Sequence, residues 1–384
     1  MIESSAMRQS KLIAITANTS WYLFNFRSNL INALVNDGHE VLAIAPLDAY
    51  SERLTMINDR VKFEPIKIDQ SGTNPFKDIR TSVSFLRIYR KSAPAAVLNF
   101  TPKNNIYSTL AASRLGIPII NNIAGLGSVF INEGPVAFIA RQLYRHSQNR
   151  AEKIFFQNKE DMDLFLQANF VDCKRTERLP GSGVDLARFQ FTPLPDDGKI
   201  RFLLVARLLY EKGIKEYMLA AKNLKEKYPH VEFRLLGFLD ANNPSAIPKH
   251  VIQAWHDEGI LTYLGATDRV EEEIIKAHCM VLPSYYREGV PRSLLEGAAM
   301  GRPIITTDNV GCRETVEHNV TGFLCNSRDA ASLQSAMESL ITLDRASLHS
   351  MGKNSRDLVQ KNFDENIVID RYVHSLRTLL QTQG

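Results

Sequence analysis

Short apolar strands alternate with helical stretches twice along this chain, and that double alternation limits the fold more than any other feature. The first series opens with the strand Lys11-Leu-Ile-Ala-Ile-Thr16 and a helix from about Asn25 to Asn36, closed by Gly38. It continues through strands at 40–45, 95–100, 117–122 and 153–157, with helices at 106–115 and 136–150. A second series has strands at 201–206, 231–237, 261–265, 280–283 and 303–307. Strands alternating with helices of this length predict parallel βαβ units. A chain of 384 residues exceeds what one core usually organises, so two domains of roughly 180 residues each are expected. The polar, proline-containing stretch 192–199 reads as the linker. The expected fold is therefore α/β, two Rossmann-like domains facing a central cleft, spanning 1–190 and 191–362, with a C-terminal helix at 363–384 packing back on the first domain. Ligands of open α/β sheets bind at the carboxyl ends of the strands.

Charge divides unevenly. Residues 1–190 carry a net +6 and the remainder a net −2, so the first half is the one expected to face anions. The excess is modest and lacks interleaved aromatic platforms, which argues against nucleic acid and for a phospholipid surface or a phosphorylated acceptor. Cys173, Cys279, Cys312 and Cys325 are scattered without metal-ligand spacing and are expected to be reduced thiols. The first residues lack a signal-peptide core and no run of about 18 apolar residues occurs, so a cytoplasmic chain is expected.

The segment Ser284-Tyr-Tyr-Arg-Glu288-Gly289-Val290-Pro291-Arg292-Ser-Leu-Leu-Glu296 follows an apolar strand and enters a helix whose expected first position is Pro291. Free N–H groups at such a helix start receive a diphosphate. Glu288, ahead of the helix, and Glu296, in its second turn, are placed to accept hydrogen bonds from hydroxyls at opposite ends of one nucleotide-sugar. Arg207 and Lys212 lie after the first strand of the second series, where two cations neutralise two phosphates. Read singly, each of these features also fits a solvated acidic loop or a basic turn.

Together, GSGVDLARF (181–189), ARLLYEKG (206–213) and SYYREGVPRSLLEGAAMGRPIITTDNVGCRETV (284–316) resemble glycosyltransferase family 4, retaining enzymes of the two-domain GT-B fold. The resemblance implies that Arg207 and Lys212 hold the diphosphate of a UDP-sugar donor, Glu288 the transferred sugar and Glu296 the ribose. It also implies that Gly289, Val290, Pro291 and Arg292 line the donor site, with retention of configuration and neither metal nor cofactor. Asp161-Met-Asp163 looks like a metal-binding DxD signature, yet it falls where a helix begins, and acidic residues in a first turn need no metal.

In the first half, Trp21–Arg27, Thr101–Tyr107 and Gly125–Phe130 are similar to segments of bacterial enzymes that extend polyprenyl-diphosphate-linked glycans. That similarity implies an acceptor of this class and substrate contacts at Lys103, Asn105, Gly125 and Gly127. It departs from the family at Asn99 and Thr101, where many members carry a histidine. Phe85–Lys91 and Phe138–Arg150 mix bulky apolar and basic residues at helical spacing, the pattern of a helix lying on anionic lipid. Peripheral contact with the cytoplasmic face of an inner membrane is expected. Two alternatives share the fold: a nucleotide-sugar epimerase or hydrolase, and a non-catalytic sugar-nucleotide-binding protein. A dinucleotide oxidoreductase is set aside, since neither first strand is followed by GxGxxG.

Overall fold

The computed structural model describes residues 10–69, 75–126, 134–239 and 243–382. The chain forms two compact units, 1–179 with 367–384, and 180–366.

The first unit is a parallel seven-stranded sheet: β1 (Leu12–Thr16), β2 (Glu40–Ala45), β3 (Val61–Pro65), β4 (Ala96–Asn99), β5 (Ile119–Ile123), β6 (Lys153–Phe156) and β7 (Thr176–Arg178). Its order is β3-β2-β1-β4-β5-β6-β7, so the winding reverses between β1 and β4. The helices are α1 (Ser20–Asn36), α2 (Ser51–Thr55), α3 (Pro75–Ser92), α4 (Pro102–Ser113), α5 (Pro135–Gln148) and α6 (Lys159–Gln167). β3 and β7 sit at the two edges and are short and polar, which explains why hydrophobic runs do not announce them.

Two helices start earlier than expected. α1 begins at Ser20 because Thr19 Oγ1 accepts from Tyr22 N (3.0 Å) and the Asp48 carboxylate accepts from Ser20 N (2.9 Å) and Trp21 N (3.1 Å). α4 begins at Pro102, whose fixed φ suits a first helical position.

The second unit is a parallel six-stranded sheet: β8 (Ile200–Val205), β9 (Val231–Leu236), β10 (Thr262–Tyr263), β11 (Cys279–Leu282), β12 (Ile304–Thr307) and β13 (Gly322–Cys325), in the order β10-β9-β8-β11-β12-β13. Its winding reverses between β8 and β11. The helices are α7 (Ile214–Lys227), α8 (Lys249–Asp257), α9 (Glu271–Ile274), α10 (Arg292–Ala299), α11 (Ala330–Ile341) and α12 (Arg345–Asn362). α13 (Glu365–Gln381) then carries the chain back to the first unit. There Val368, Tyr372, Leu376 and Leu380 join the core formed by β1, β4 and α1, and Arg377 Nε donates to Asp37 Oδ2 (2.9 Å).

The stretch 192–199 is not the division between units. The division falls at Leu179/Pro180, because Val184, Phe189 and Leu194 are buried in the second core. The fully buried Arg302 ties the stretch down, donating to Thr192 O (2.6 Å), Thr192 Oγ1 (2.8 Å), Met300 O (2.6 Å), Ile274 O (3.1 Å) and Ile275 O (3.0 Å). Carbonyl dipoles around a buried guanidinium replace the water it has lost.

Candidate functional site

After β8 the chain makes a tight turn over Tyr210–Lys212 and passes through Gly213 at φ +73°. A Cβ on Gly213 would lie 2.1 Å from Pro283 O, so only glycine lets this turn press against the end of β11. The Glu211 carbonyl then accepts from Tyr285 N (2.9 Å) and Tyr286 N (3.2 Å), fastening the β8 turn to the loop after β11. The result brings Lys212 Nζ into an ion pair with Glu288 Oε1, both side chains largely buried. Ser284 Oγ lies 2.9 Å from the same carboxylate oxygen. Lys212 Nζ also stands 5.2 Å from the centre of the Tyr286 ring, a cation–π contact.

The loop that carries Glu288 is held from below. Thr307 Oγ1 donates to Ser284 O (2.5 Å) and Asn309 Nδ2 to Tyr286 O (2.9 Å). Gly311, at φ +78°, lies so close that a Cβ there would fall 1.5 Å from Gly289 O. Burial raises the Tyr286 hydroxyl above its usual range, as does the Glu288 charge, with Arg207 opposing, which places Arg207 within electrostatic reach of Tyr286. The buried Cys312 thiol is pushed up to about 12 by burial first and the Glu288 charge second, so it stays protonated at neutral pH.

Pro291 is the N-cap of α10 rather than its first helical residue. Its ψ of 114° is extended, and helical geometry begins at Arg292. A proline side chain accepts no hydrogen bond, so the start of α10 has no side-chain cap. Val290, buried, packs against Gly181, where a Cβ would come within 2.7 Å of it. One turn into the helix, Glu296 Oε1 accepts from Arg292 Nε (3.1 Å). Burial raises the Glu296 carboxyl, with Arg292 and Arg188 pulling it back. Arg188 itself pairs with Glu271 (2.8 Å).

The second unit thus gathers Arg207, Lys212, Glu288, Gly289, Val290, Pro291, Arg292 and Glu296 around the ends of β8 and β11 and the start of α10. Ser284, Tyr286 and Gly311 are participants that the sequence does not mark out, although all three stand inside the segment 284–316. Lys103, Asn105 and Gly125 belong to the first unit, at the carboxyl ends of β4 and β5, and Gly127 lies outside the described residues. Asp161 sits in the first turn of α6 and is bound by its N-cap: Asn158 Oδ1 accepts from the Asp161 N–H (2.7 Å), and Asn158 Nδ2 donates to the Asp161 carboxylate (3.0 Å). Asp163 pairs with Lys159.

The outward faces of α3 and α5 differ from expectation. Phe85 and Tyr89 are core residues. The apolar side chains that α3 turns outward come earlier, at Phe76 (80% exposed), Ile79 (61%) and Val83 (40%), a helical i, i+3, i+7 stripe flanked by exposed Lys77 and Arg80. On α5, Phe138 (63%) and Ile139 (58%) are exposed ahead of exposed Arg145, with Arg141 partly so, and Arg150 is exposed just past the end of the helix. Among the described residues no helix is long and apolar enough to cross a membrane.

Comparison with known proteins points one way. Residues 187–358 match the family "Glycosyl transferases group 1" and residues 12–158 match "Glycosyl transferase 4-like". The chain is 27% identical to the N,N'-diacetylbacillosaminyl-diphospho-undecaprenol alpha-1,3-N-acetylgalactosaminyltransferase of Campylobacter jejuni, over 91% of this chain and 94% of that one. It is 23% identical to an Escherichia coli UDP-Gal:alpha-D-GlcNAc-diphosphoundecaprenol alpha-1,3-galactosyltransferase, over 75% and 76%. Among solved structures, HepE of Anabaena in complex with UDP and glucose has the same fold, with a TM-score of 0.77 at 15% identity, covering 96% of this chain and 100% of that one.

Proposed function

The chain belongs to the group 1 glycosyl transferases, with a 4-like glycosyl transferase domain ahead, and on that premise we infer that it moves a hexose or N-acetylhexosamine, with retention, from a UDP-sugar to a polyprenyl-diphosphate-linked glycan. The observation that carries this reading is the Lys212–Glu288 pair, set by Ser284 just ahead of the uncapped start of α10.

A nucleotide-sugar brings a diphosphate and a ring of hydroxyls to that place. The diphosphate takes the Lys212 ammonium, the Arg207 guanidinium and the N–H groups at the start of α10, where the helix dipole favours negative charge. Gly289, Val290 and Pro291 shape the backbone there, and Arg292 holds Glu296 for the ribose hydroxyls. Released from Lys212, Glu288 accepts hydrogen bonds from hydroxyls of the sugar. When the glycosidic bond breaks, its electron pair leaves with the diphosphate oxygen, and a fixed ammonium binds that growing charge more tightly than it binds the intact donor. The acceptor belongs to the first unit. Its lipid lies in a bilayer, and the apolar stripe of α3 with the apolar and basic side chains of α5 forms a face suited to anionic headgroups on the cytoplasmic side of an inner membrane.

The test is incubation with a panel of UDP-sugars and a polyprenyl-diphosphate-sugar, read by mass spectrometry. Growth of the acceptor by one hexose or N-acetylhexosamine, matched by UDP release, is expected. UDP release without a larger acceptor would instead make the protein a hydrolase.

A further inference from the structure

The first unit contains a continuous set of buried amides. Thr16 Oγ1 donates to Asn99 Oδ1 (2.6 Å), Asn99 Nδ2 to Asn121 Oδ1 (2.9 Å), Asn121 Nδ2 to Gln148 Oε1 (2.8 Å), and Gln148 Nε2 to Asn105 O (2.8 Å). The set reaches α13 where Asn122 Nδ2 donates to Tyr372 OH (2.5 Å). Buried polar groups are normally satisfied in this way.

Two atoms at one place are not. Asn105 Nδ2 donates to Asn122 O (2.7 Å), but its Oδ1 is buried with no hydrogen-bond partner. Asn104, fully buried, uses Oδ1 to accept from Thr101 Oγ1 (2.7 Å), which folds the amide back toward the start of α4. Its Nδ2, on the same amide carbon, therefore sits at that helix start, also buried without a partner. α4 has no side-chain cap. α1 and α6, by contrast, are capped by Thr19 and Asn158, and Asp48 adds a carboxylate at α1.

Lys103, in the same first turn of α4, carries a cation. Its Nζ is held 2.6 Å from Asp78 Oδ1, and Tyr107 OH donates to Asp78 Oδ2 (2.8 Å). Asp78 belongs to α3, the helix whose outward stripe is Phe76, Ile79 and Val83. The cation is thus fixed to α3.

We propose that the first turn of α4 is a sugar-diphosphate subsite, in which Lys103, Asn104 Nδ2 and the helix N-terminus take the diphosphate and Asn105 Oδ1 accepts from a hydroxyl or amide N–H of the attached sugar. The proposal rests on the acceptor reading above and adds where on this chain the acceptor's diphosphate is held. The shared chemistry, a phosphate anion at a helix start, also suits free pyrophosphate or a lipid headgroup, so the test has an arm for each.

The probe is N-acetylglucosaminyl diphosphate carrying a short prenyl chain, titrated calorimetrically into the full chain. The variants are Asn104→Asp and Lys103→Met. Asn104→Asp keeps the oxygen that Thr101 needs but buries a carboxylate, so its melting temperature should fall, and both variants are titrated below their melting temperatures after circular dichroism shows them folded. Affinity for the probe should fall roughly 30-fold in Asn104→Asp and roughly 10-fold in Lys103→Met, as charge-assisted contacts are lost or reversed. UDP binding should be unchanged in both. Failure of the wild-type chain to bind UDP would sink the donor reading while leaving this result to be judged by the probe. Probe affinity within about twofold of wild type in both variants, or no probe binding at all, would overturn the subsite. Pyrophosphate binding as tightly as the probe would remove the sugar contact at Asn105, and displacement of the probe by phosphatidylglycerol vesicles would reassign the site to headgroups.

Discussion

Lys212 with Glu288 in the second unit, and Asn104 with Asn105 in the first, are proposed to answer one problem with different chemistry, that of holding a polar ligand at the carboxyl end of a parallel sheet. In the second unit both groups are charged and already neutralise each other. An arriving phosphate exchanges one anion for another at Lys212, so the ammonium is never left buried and unpaired, the arrangement that is most costly. In the first unit the groups are neutral amides at the end of a satisfied network, and what they offer is one donor and one acceptor in fixed positions. Charge acts over distance and favours the state with more charge. Amides act only at contact, and so discriminate by shape. On the proposed reading, rate falls to the second unit and acceptor recognition to the first.

The largest effect that would break this division is at Lys212. Lys212→Ala should cut turnover by a factor on the order of 100 or more, the scale for losing one preorganised charge-stabilising group. Glu288→Gln should also lower turnover but leave binding of free UDP nearly intact, because its partners are hydroxyls of the moving sugar. Steady-state rates for both variants, beside titrations with UDP and with UDP-sugar, separate the two roles. Wild-type transfer by both would remove the second unit's claim to the chemistry.

Backbone geometry gives the next largest effect. Gly311→Ala puts a Cβ 1.5 Å from Gly289 O at φ +78°, and the loop bearing Glu288 must give way. A loss of about 1–3 kcal/mol in urea unfolding is expected, together with slower transfer. Gly38→Ala is the matched control: its φ is +95°, but nothing lies within 4 Å of the added Cβ. It should cost about 1–2 kcal/mol from conformation alone and leave transfer per folded molecule unchanged. Equal effects on transfer would mean that the Glu288 loop tolerates displacement.

The same contrast explains what the sequence makes legible. Glu288, Glu296 and the start of α10 are neighbours along the chain, and Lys212 follows a recognisable strand, so a short pattern carries most of the second site. The proposed first site also runs along the chain, at Lys103, Asn104 and Asn105, and what stays hidden in the sequence are its supports, Asp78 on α3 and Asn122 in β5, which only packing brings to it. Periodicity also reports that a helix is two-faced without saying which face is outward. Phe85 and Tyr89 look as well placed for a membrane as Phe76 and Ile79, and only the packing sends the first pair into the core. The stretch 192–199 reads as a linker because its side chains are polar. What fixes it is its carbonyl groups, bound by Arg302, and carbonyls have no sequence signature. Pro291 shows the limit at helix ends, where a shift of one residue turns a first helical position into a cap.

A smaller effect tests the membrane face of the first unit. Neutralising Arg141, Arg145 and Arg150 together should weaken sedimentation with anionic liposomes, each surface charge contributing about 1 kcal/mol near such a membrane. UDP binding should be untouched. The apolar side of the same face is tested by Phe76→Ser with Phe138→Ser, which should weaken binding to neutral and anionic vesicles alike. Undiminished sedimentation in both variants would leave α3 and α5 as ordinary solvated helices.

The smallest expected effect is that of removing divalent ions. A diphosphate leaving group needs positive charge close to it as the glycosidic bond breaks, and enzymes supply this either from a bound metal or from their own cations and helix termini. In the second unit the chain's own suppliers are already assembled: Lys212 beside Glu288, Arg207 within reach of Tyr286, and an α10 start with no side-chain cap. Asp161 and Asp163, the pair that most resembles a metal signature, are committed to a helix cap and to Lys159. Chelator-treated protein should therefore keep most of its transfer rate, measured with matched donor and acceptor concentrations before and after dialysis against EDTA. Complete loss, restored by manganese or magnesium, would mean that Lys212 and Arg207 do not suffice for the leaving group, and the division of labour between the units would have to be redrawn around an ion.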